Sequence, residues 1–321
     1  MTTLNSPWLR DAWSEARRRG ASDLHLASGH PPQLRMGGVL RCSELPPCPP
    51  PPWAGWPEAG EGALDDPVLG RARWSLARHE RGLLLVLRLL QDAIPTPSQV
   101  QLSPQQLALV MQPHGLLLVT GATGSGKSST LAALVSHWRQ QQPGHVLTLE
   151  DPVELRHPPA PGQITQREVG RDCLSFAEGL RAALRQDPDI ILVGEIRDAE
   201  TASLALTAAE TGHLVLATLH SRTAIGAIDR LTSLFSDPMQ ARVQLADTLV
   251  GILAQQLHWR DGRAQALREV LVATSAVRHL IREHRLHQLE TVMQTGAALG
   301  MQTLAQALAQ ALAQVRGSAG Q

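Results

Sequence analysis

The chain has 321 residues, more than one hydrophobic core usually organises, so two domains are expected. Lysine plus arginine number 29 and aspartate plus glutamate also 29, a balance that argues against a general nucleic-acid or anionic-lipid surface and makes any phosphate binding local. Cys42, Cys48 and Cys173 are odd in number and scattered, with no C-x-x-C, which argues against a disulfide framework or a zinc knuckle and for a reducing, cytoplasmic home.

The start, MTTLNSPWLRDAWSEARRRG, carries charges at helical spacing rather than the apolar run of an export signal. Residues 8–19 read as an amphipathic helix. SDLHLAS and PPQLRMGGVLRCSEL then read as strands of a small mixed domain, expected over 1–95. Within it, residues 45–62 (LPPCPPPPWAGWPEAGEG) form a proline-rich surface loop that holds neither helix nor sheet, because proline removes backbone donors and fixes φ. Alternation resumes in RARWSLARHERGLLLVLRLL, and residues 96–108 read as a linker. The second domain, 109–321, alternates apolar strands and helices: GLLLVT, a helix, HVLTL, a helix, DIILVG, a helix, HLVLATL, then several helices. This is the α/β pattern of a parallel sheet with crossover helices. The tail TLAQALAQALAQVRGSAGQ reads as a terminal packing helix. The longest apolar runs, 82–90 and 115–121, fall far short of the roughly 20 residues that span a bilayer. Direct membrane insertion is not expected, and membrane association would pass through a partner.

GATGSGKS (121–128) follows a strand and opens a helix, the context that G-x-x-x-x-G-K-[ST] requires for nucleotide binding. Gly121, Ala122, Thr123, Gly124, Ser125 and Gly126 would turn backbone N–H groups toward the phosphates of ATP, with Ser129 continuing the helix start. Lys127 would reach the β and γ oxygens, and the Ser128 hydroxyl would ligate Mg2+. Ligands of open α/β sheets gather beyond the carboxyl ends of the strands, so residues directly after each strand should share a rim with this loop. The rule selects Glu150, Asp151 and Glu154 after HVLTL, Glu195 after DIILVG and His220 after HLVLATL. Glu195 stands where an aspartate is usual and can hold the magnesium shell, whereas Asp189 is at the wrong end of that strand. Glu150 or Glu154 could orient or deprotonate the attacking water, although on position alone either also fits a solvated carboxylate or a helix cap. His213 and His220 bracket their strand, and placement favours only His220. Arg73, Arg78, Arg81 and Arg88 either snorkel at the surface or reach a neighbouring site and stabilise transition-state charge.

Together these segments resemble the type II/IV secretion ATPase family over nearly the whole chain. LTLEDPVE (147–154) is similar to its Asp box, LRQDPDIILVGEIRDAET (184–201) to its Walker B region and TGHLVLATLHS (211–221) to its His box. The resemblance implies a RecA-like P-loop NTPase core, a small PAS-like α+β N-terminal domain and a helical C-terminal region. It implies that Glu154 is the catalytic glutamate, Glu195 the Walker B glutamate, and His213 and His220 the His-box pair. SDLHLASGHPPQLRMGGVLR resembles the N-terminal domain that packs on the next subunit and offers it arginines, which here would be Arg73, Arg81 and Arg88. LHWRDGRAQAL leaves no room for the four-cysteine zinc module of many assembly ATPases, and AVRHLIREHRLHQLETVMQTGAALGMQTL looks like the AIRNLIRE element of the retraction branch. The expected protein is a cytoplasmic homohexameric ATPase that acts on an inner-membrane platform protein and retracts a pilus. Its rivals are an assembly or secretion ATPase, a nucleic-acid motor disfavoured by the neutral charge, and a ring scaffold without turnover.

Overall fold

The computed structural model describes residues 6–49, 59–80, 82–90, 93–260 and 263–318; Arg81 and residues 50–58 of the proline-rich stretch lie outside them. The chain divides into two compact units, with the boundary between Ala93 and Ile94.

In the first unit, α1 (Pro7–Arg18) starts where Ser6 caps the Leu9 N–H and Pro7 supplies a preset φ. A six-stranded antiparallel sheet follows, in the order β3 (Val39–Cys42), β2 (Gln33–Met36), β1 (Asp23–Ala27), β6 (Gly82–Leu89), β5 (Gly70–His79), β4 (Gly60–Asp66). Leu9, Ala12, Trp13 and Ala16 of α1 share a core with Leu24, Leu26, Leu34, Trp74, Leu85 and Leu87. Period-2 alternation sends the intervening residues to the other face. There, register aligns Arg35, Asp23, Arg88 and Arg73 in one row across four strands. Residues 60–62, expected in the loop, begin β4, because pairing of Gly60, Glu61 and Gly62 with Leu76, Ser75 and Trp74 overrides their turn composition.

The second unit contains α2 (Pro104–Leu109), β7 (Gly115–Thr120), α3 (Lys127–Gln141), β8 (His145–Glu150), β9 (Gln163–Glu168), α4 (Phe176–Ala183), β10 (Ile190–Val193), α5 (Ala199–Glu210), β11 (Leu214–Leu219), α6 (Ala224–Thr232), α7 (Pro238–Thr248), β12 (Leu249–Arg260), β13 (Arg263–Val272), α8 (Ser275–Arg282), α9 (Leu289–Thr295) and α10 (Leu304–Ser318). Its seven strands run β13-β12-β7-β11-β10-β8-β9. The pairs from β12 across to β9 are all parallel. The run GLLLVT has no alternation because both faces of β7 are covered. Leu116 and Leu118 pack with residues of α5 and α6, while Leu117 and Val119 pack with Leu131, Leu134, Val135 and Trp138 of α3. Each such fully buried leucine or valine contributes about 1.5–3 kcal/mol.

The expected linker, 96–108, differs from the structure. Residues 104–109 form α2, capped by Ser103 and Gln106 in a reciprocal box, and Leu102 and Leu109 are buried. Pro104 occupies a first-turn position that needs no N–H. The segments read as helices after HLVLATL include two long strands, β12 and β13. Leu, Ala and Gln favour helix in isolation, but between neighbouring strands the apolar run of β12 is buried from Leu253 back to Leu249, apart from a half-buried Val250. The short polar strand β9 also escaped the pattern, since an edge strand buries too little to show one.

Candidate active site

The carboxyl ends of β7, β11, β10 and β8 lie side by side and are laced together. The Gly194 N–H donates to the Leu149 carbonyl at 2.7 Å, and the Ile196 N–H to the Thr218 carbonyl at 3.0 Å. The Thr218 hydroxyl donates to the Gly194 carbonyl. The Thr120 hydroxyl meets the Leu219 carbonyl at 2.9 Å and the Ser221 carbonyl at 2.8 Å, and accepts from the Ser221 N–H at 2.9 Å. Four strand ends therefore hold the 121–128 loop, His220, Glu195 and the 150–154 turn along one rim.

The loop from Gly121 to Ser128 turns on three glycines with positive φ: Gly121 at 149°, Gly124 at 76° and Gly126 at 84°. A Cβ on Gly121 would fall 2.3 Å from the Gln255 carbonyl and 2.5 Å from Ser125 Oγ; on Gly126 it would fall 2.9 Å from Gln255 Nε2. Only glycine lets the loop close on itself this way. Gly126 hands over directly to α3 without a side-chain cap, so the first-turn N–H groups have no side chain competing for them. Ala122, Thr123, Gly124 and Ser128 are exposed, Ser129 is half-buried, and Ser125 is buried with its hydroxyl unpartnered among the described residues. The Lys127 ammonium donates to the Gly121 and Ala122 carbonyls, each at 3.0 Å. Burial pulls its pKa below the usual lysine range, against the opposing charges of Glu195 and Glu154. Those two carboxylates thus act on the lysine from separate strand ends.

Glu195 is held at both carboxylate oxygens. Its Oε2 accepts from Arg197 at 2.7 Å and its Oε1 from His220 Nε2 at 3.1 Å, which puts the proton of that tautomer on Nε2. Arg197 also lies 3.5 Å from Asp151 and so ties the β10 and β8 ends together. Glu150 and Glu154, open alternatives in the sequence, separate here. Glu150 accepts from the Thr148 hydroxyl at 2.7 Å and the Gln166 amide at 3.1 Å, and burial raises its pKa above the ordinary range despite both bonds. It anchors the turn, while Glu154 is the one whose charge is felt at Lys127. The Asp151–Pro152 peptide bond between them is cis.

Two expectations need correction or restriction. His213 does not join the rim: it sits at the amino end of β11, where its Nδ1 faces the Ala208 carbonyl at 3.1 Å and its own carbonyl accepts from the Gly115 N–H. The six residues of β11 separate it from His220 by roughly 20 Å at the rise of a strand. Arg73 and Arg88 oppose each other on β5 and β6, and Arg88 is paired with Asp23 at 3.0 Å. Arg81 lies outside the described residues.

A second layer that sequence reasoning did not find supports the loop. Gln255 Nε2 donates to the Ser125 carbonyl, and Gln255 Oε1 accepts from Thr130 at 2.8 Å and Arg268 Nε at 2.9 Å. Burial lowers the Arg268 guanidinium to about 10, at which it stays charged at neutral pH. Arg197 had a visible signal, two residues beyond Glu195, and Thr120 another, a polar end to an apolar strand. Gln255 and Arg268 had none, lying in a stretch that read as helix.

The residues present fit a nucleoside triphosphate with magnesium. The glycine turn, the helix start and the Lys127 ammonium have the donors and the charge that suit phosphate oxygens. The Ser128 hydroxyl and Glu195 carboxylate are the hard oxygen donors beside them, a set suited to magnesium, which takes one or two protein oxygens and completes its shell with phosphate and water.

The family described as "Type II/IV secretion system protein" matches residues 80–316. The protein YggR of Escherichia coli (strain K12), described as uncharacterized, is 44% identical over 316 residues, covering 90% of this chain and 93% of that protein. The "Type IV pilus retractation ATPase PilT" of Pseudomonas aeruginosa PAO1 is 41% identical over 305 residues, covering 89% of each. A crystal structure of the pilus retraction motor PilT with bound ADP superposes with a TM-score of 0.83 at 38% identity, covering 94% of this chain and 92% of that one.

Proposed function

The chain belongs to the type II/IV secretion system protein family, with the mixed α/β fold of its ATPases, and we propose that it is a pilus-retraction motor driven by ATP hydrolysis on the rim described above. What supports this reading is the setting of Lys127, whose ammonium is bonded into the glycine loop and feels the opposite charges of Glu195 and Glu154. Lys127 exchanges the two loop carbonyls for β- and γ-phosphate oxygens. Glu154 takes the proton of the attacking water, which leaves an anionic nucleophile in line with the leaving β-phosphate. Ser128 and Glu195 would hold the magnesium, whose charge offsets that developing on the phosphate oxygens. Arg197 and His220 keep the Glu195 carboxylate in place, so little reorganisation is needed when nucleotide binds.

The working form is a homohexamer on the cytoplasmic side of the inner membrane. It turns or pushes a membrane platform protein, with Arg73, Arg81 and Arg88 as the guanidinium candidates for a neighbouring copy's phosphates. Open and closed subunits that differ in affinity for ATP and ADP convert the cycle into rigid-body motion. Among the described residues no helix is long and apolar enough to cross a membrane. Deleting the gene in the native host tests the duty. A retraction motor leaves cells with more surface pili and without twitching; bare cells would indicate assembly instead, and unchanged pili would refute both.

A further inference from the structure

Gln255, Thr130 and Arg268 form a polar knot inside the second unit, at 1%, 0% and 2% exposure. Gln255 comes directly after Ala254, which is in register with Thr120, so the amide stands beside the start of the phosphate loop. Arg268 spends its N–H groups on four oxygens: Gln255 Oε1 at 2.9 Å, Thr130 Oγ1 at 3.1 Å, and the carbonyls of Gln101 at 3.0 Å and Val100 at 2.6 Å. None of those acceptors is a carboxylate. Burying a guanidinium against neutral oxygens is costly, and an apolar side chain of similar volume would fill the space at less expense. The charge must therefore do something that volume alone does not.

Its chemistry says what. A glutamine amide has a donor end and an acceptor end of nearly equal shape, and only its partners decide which way round it sits. The Thr130 hydroxyl cannot decide, because it donates to an oxygen and accepts from a nitrogen equally well. Arg268 only donates. Its Nε–H beside the amide admits the oxygen and rejects the N–H2, and the Ser125 carbonyl, which only accepts, selects Nε2 at the other end, so both ends favour the bond that pins the loop. The carbonyls of Val100 and Gln101 hold the guanidinium so that it cannot swing clear.

We infer that Arg268 is a positioning residue for nucleotide binding, which fixes the oxygen end of the Gln255 amide and through it steadies the 121–128 loop. The inference rests on the reading of that loop as a nucleotide cradle. The test is equilibrium binding of a fluorescent ADP to the full chain, with the melting temperature recorded alongside. Arg268→Met keeps the volume but leaves the oxygen end of the amide held by Thr130 alone, so the bond to Ser125 loosens and affinity falls about five- to tenfold while the fold is retained. Arg268→Lys, which also only donates, recovers most of that loss. Gln255→Glu keeps the acceptor for Arg268 but cannot donate to Ser125, and it lowers affinity at least as far. Gln255→Leu, alone or combined with Arg268→Met in a double variant, loses about as much affinity as Arg268→Met alone, since both changes break one device. Unchanged affinity in Arg268→Met, or losses that multiply in the double variant, overturns the inference. If Arg268→Met does not fold, wild-type affinity in Gln255→Glu overturns it equally. A wild-type chain without affinity for ADP would instead sink the nucleotide reading itself.

Discussion

Thr120→Val is the sharpest probe of how the rim is built. Valine keeps the shape of threonine at a fully buried position, so no cavity forms and the cost is that of hydrogen bonds alone. The hydroxyl carries one proton, shared between the Leu219 and Ser221 carbonyls, and accepts the Ser221 N–H, so two bonds are lost at any instant. A buried group left without a partner costs about 1–3 kcal/mol; Ser221 is only half-buried and can recruit water, so about 2 kcal/mol in total is expected. For a unit of this size that is a fall of about 4–8 °C in melting temperature. The lost bonds hold the turn that carries His220, whereas the loop's own start is held by main-chain pairing of β7 with β11 and β12. Phosphate release at saturating ATP should therefore slow about tenfold while ADP affinity stays within about threefold of wild type. Thermal melting, steady-state phosphate release and ADP titration on the same preparation measure all three. A variant that melts lower but turns over normally would refute the claim that this hydroxyl sets the catalytic turn.

Two further predictions concern protons. Burial, reinforced by the Arg139 charge, lowers His157 from 6.5 to about 4. The folded chain then binds fewer protons there than the unfolded chain, so the stability gained is fully present above about 6.5 and is lost as pH falls toward 4, by at most about 1.4 kcal/mol per pH unit. Urea unfolding across that window should show the slope in wild type and a flatter one in His157→Gln. Glu150 has the opposite sign: burial raises its folded pKa, so its charge opposes folding above that value and the penalty fades as pH falls. Glu150→Gln, whose amide oxygen can still accept from Thr148 and Gln166, should be more stable than wild type at neutral pH, with the gain shrinking toward pH 4 in the same assay.

The phosphate cradle was legible because its signal is local: glycine spacing, a lysine and a serine between an apolar strand and a helix. Glu150, Glu195 and His220 were legible from one topological rule, that ligands meet the carboxyl ends of parallel strands. His213 shows the rule outdoing the motif: the strand parts it from His220 and placement favours only His220, whereas the resemblance pairs the two. The strands β12 and β13 were hidden because their residues favour helix until neighbours cover them. The knot of Gln255, Thr130 and Arg268 was hidden for a deeper reason: its members come from two strands and a helix, and Thr130 and Arg268 lie 138 residues apart. Polarity at a buried position becomes visible only once the burial is known.

The central claim is that Lys127, Glu154 and Glu195 form one hydrolytic centre, and phosphate release measured beside retained nucleotide tests it most directly. Wild type with magnesium and ATP should turn over, Lys127→Ala should neither bind nor hydrolyse, and Glu154→Gln should hold ATP as a ring-sized assembly without releasing phosphate. Glu154→Gln releasing phosphate at the wild-type rate, or wild type that binds ATP with no release at all, would contradict the account.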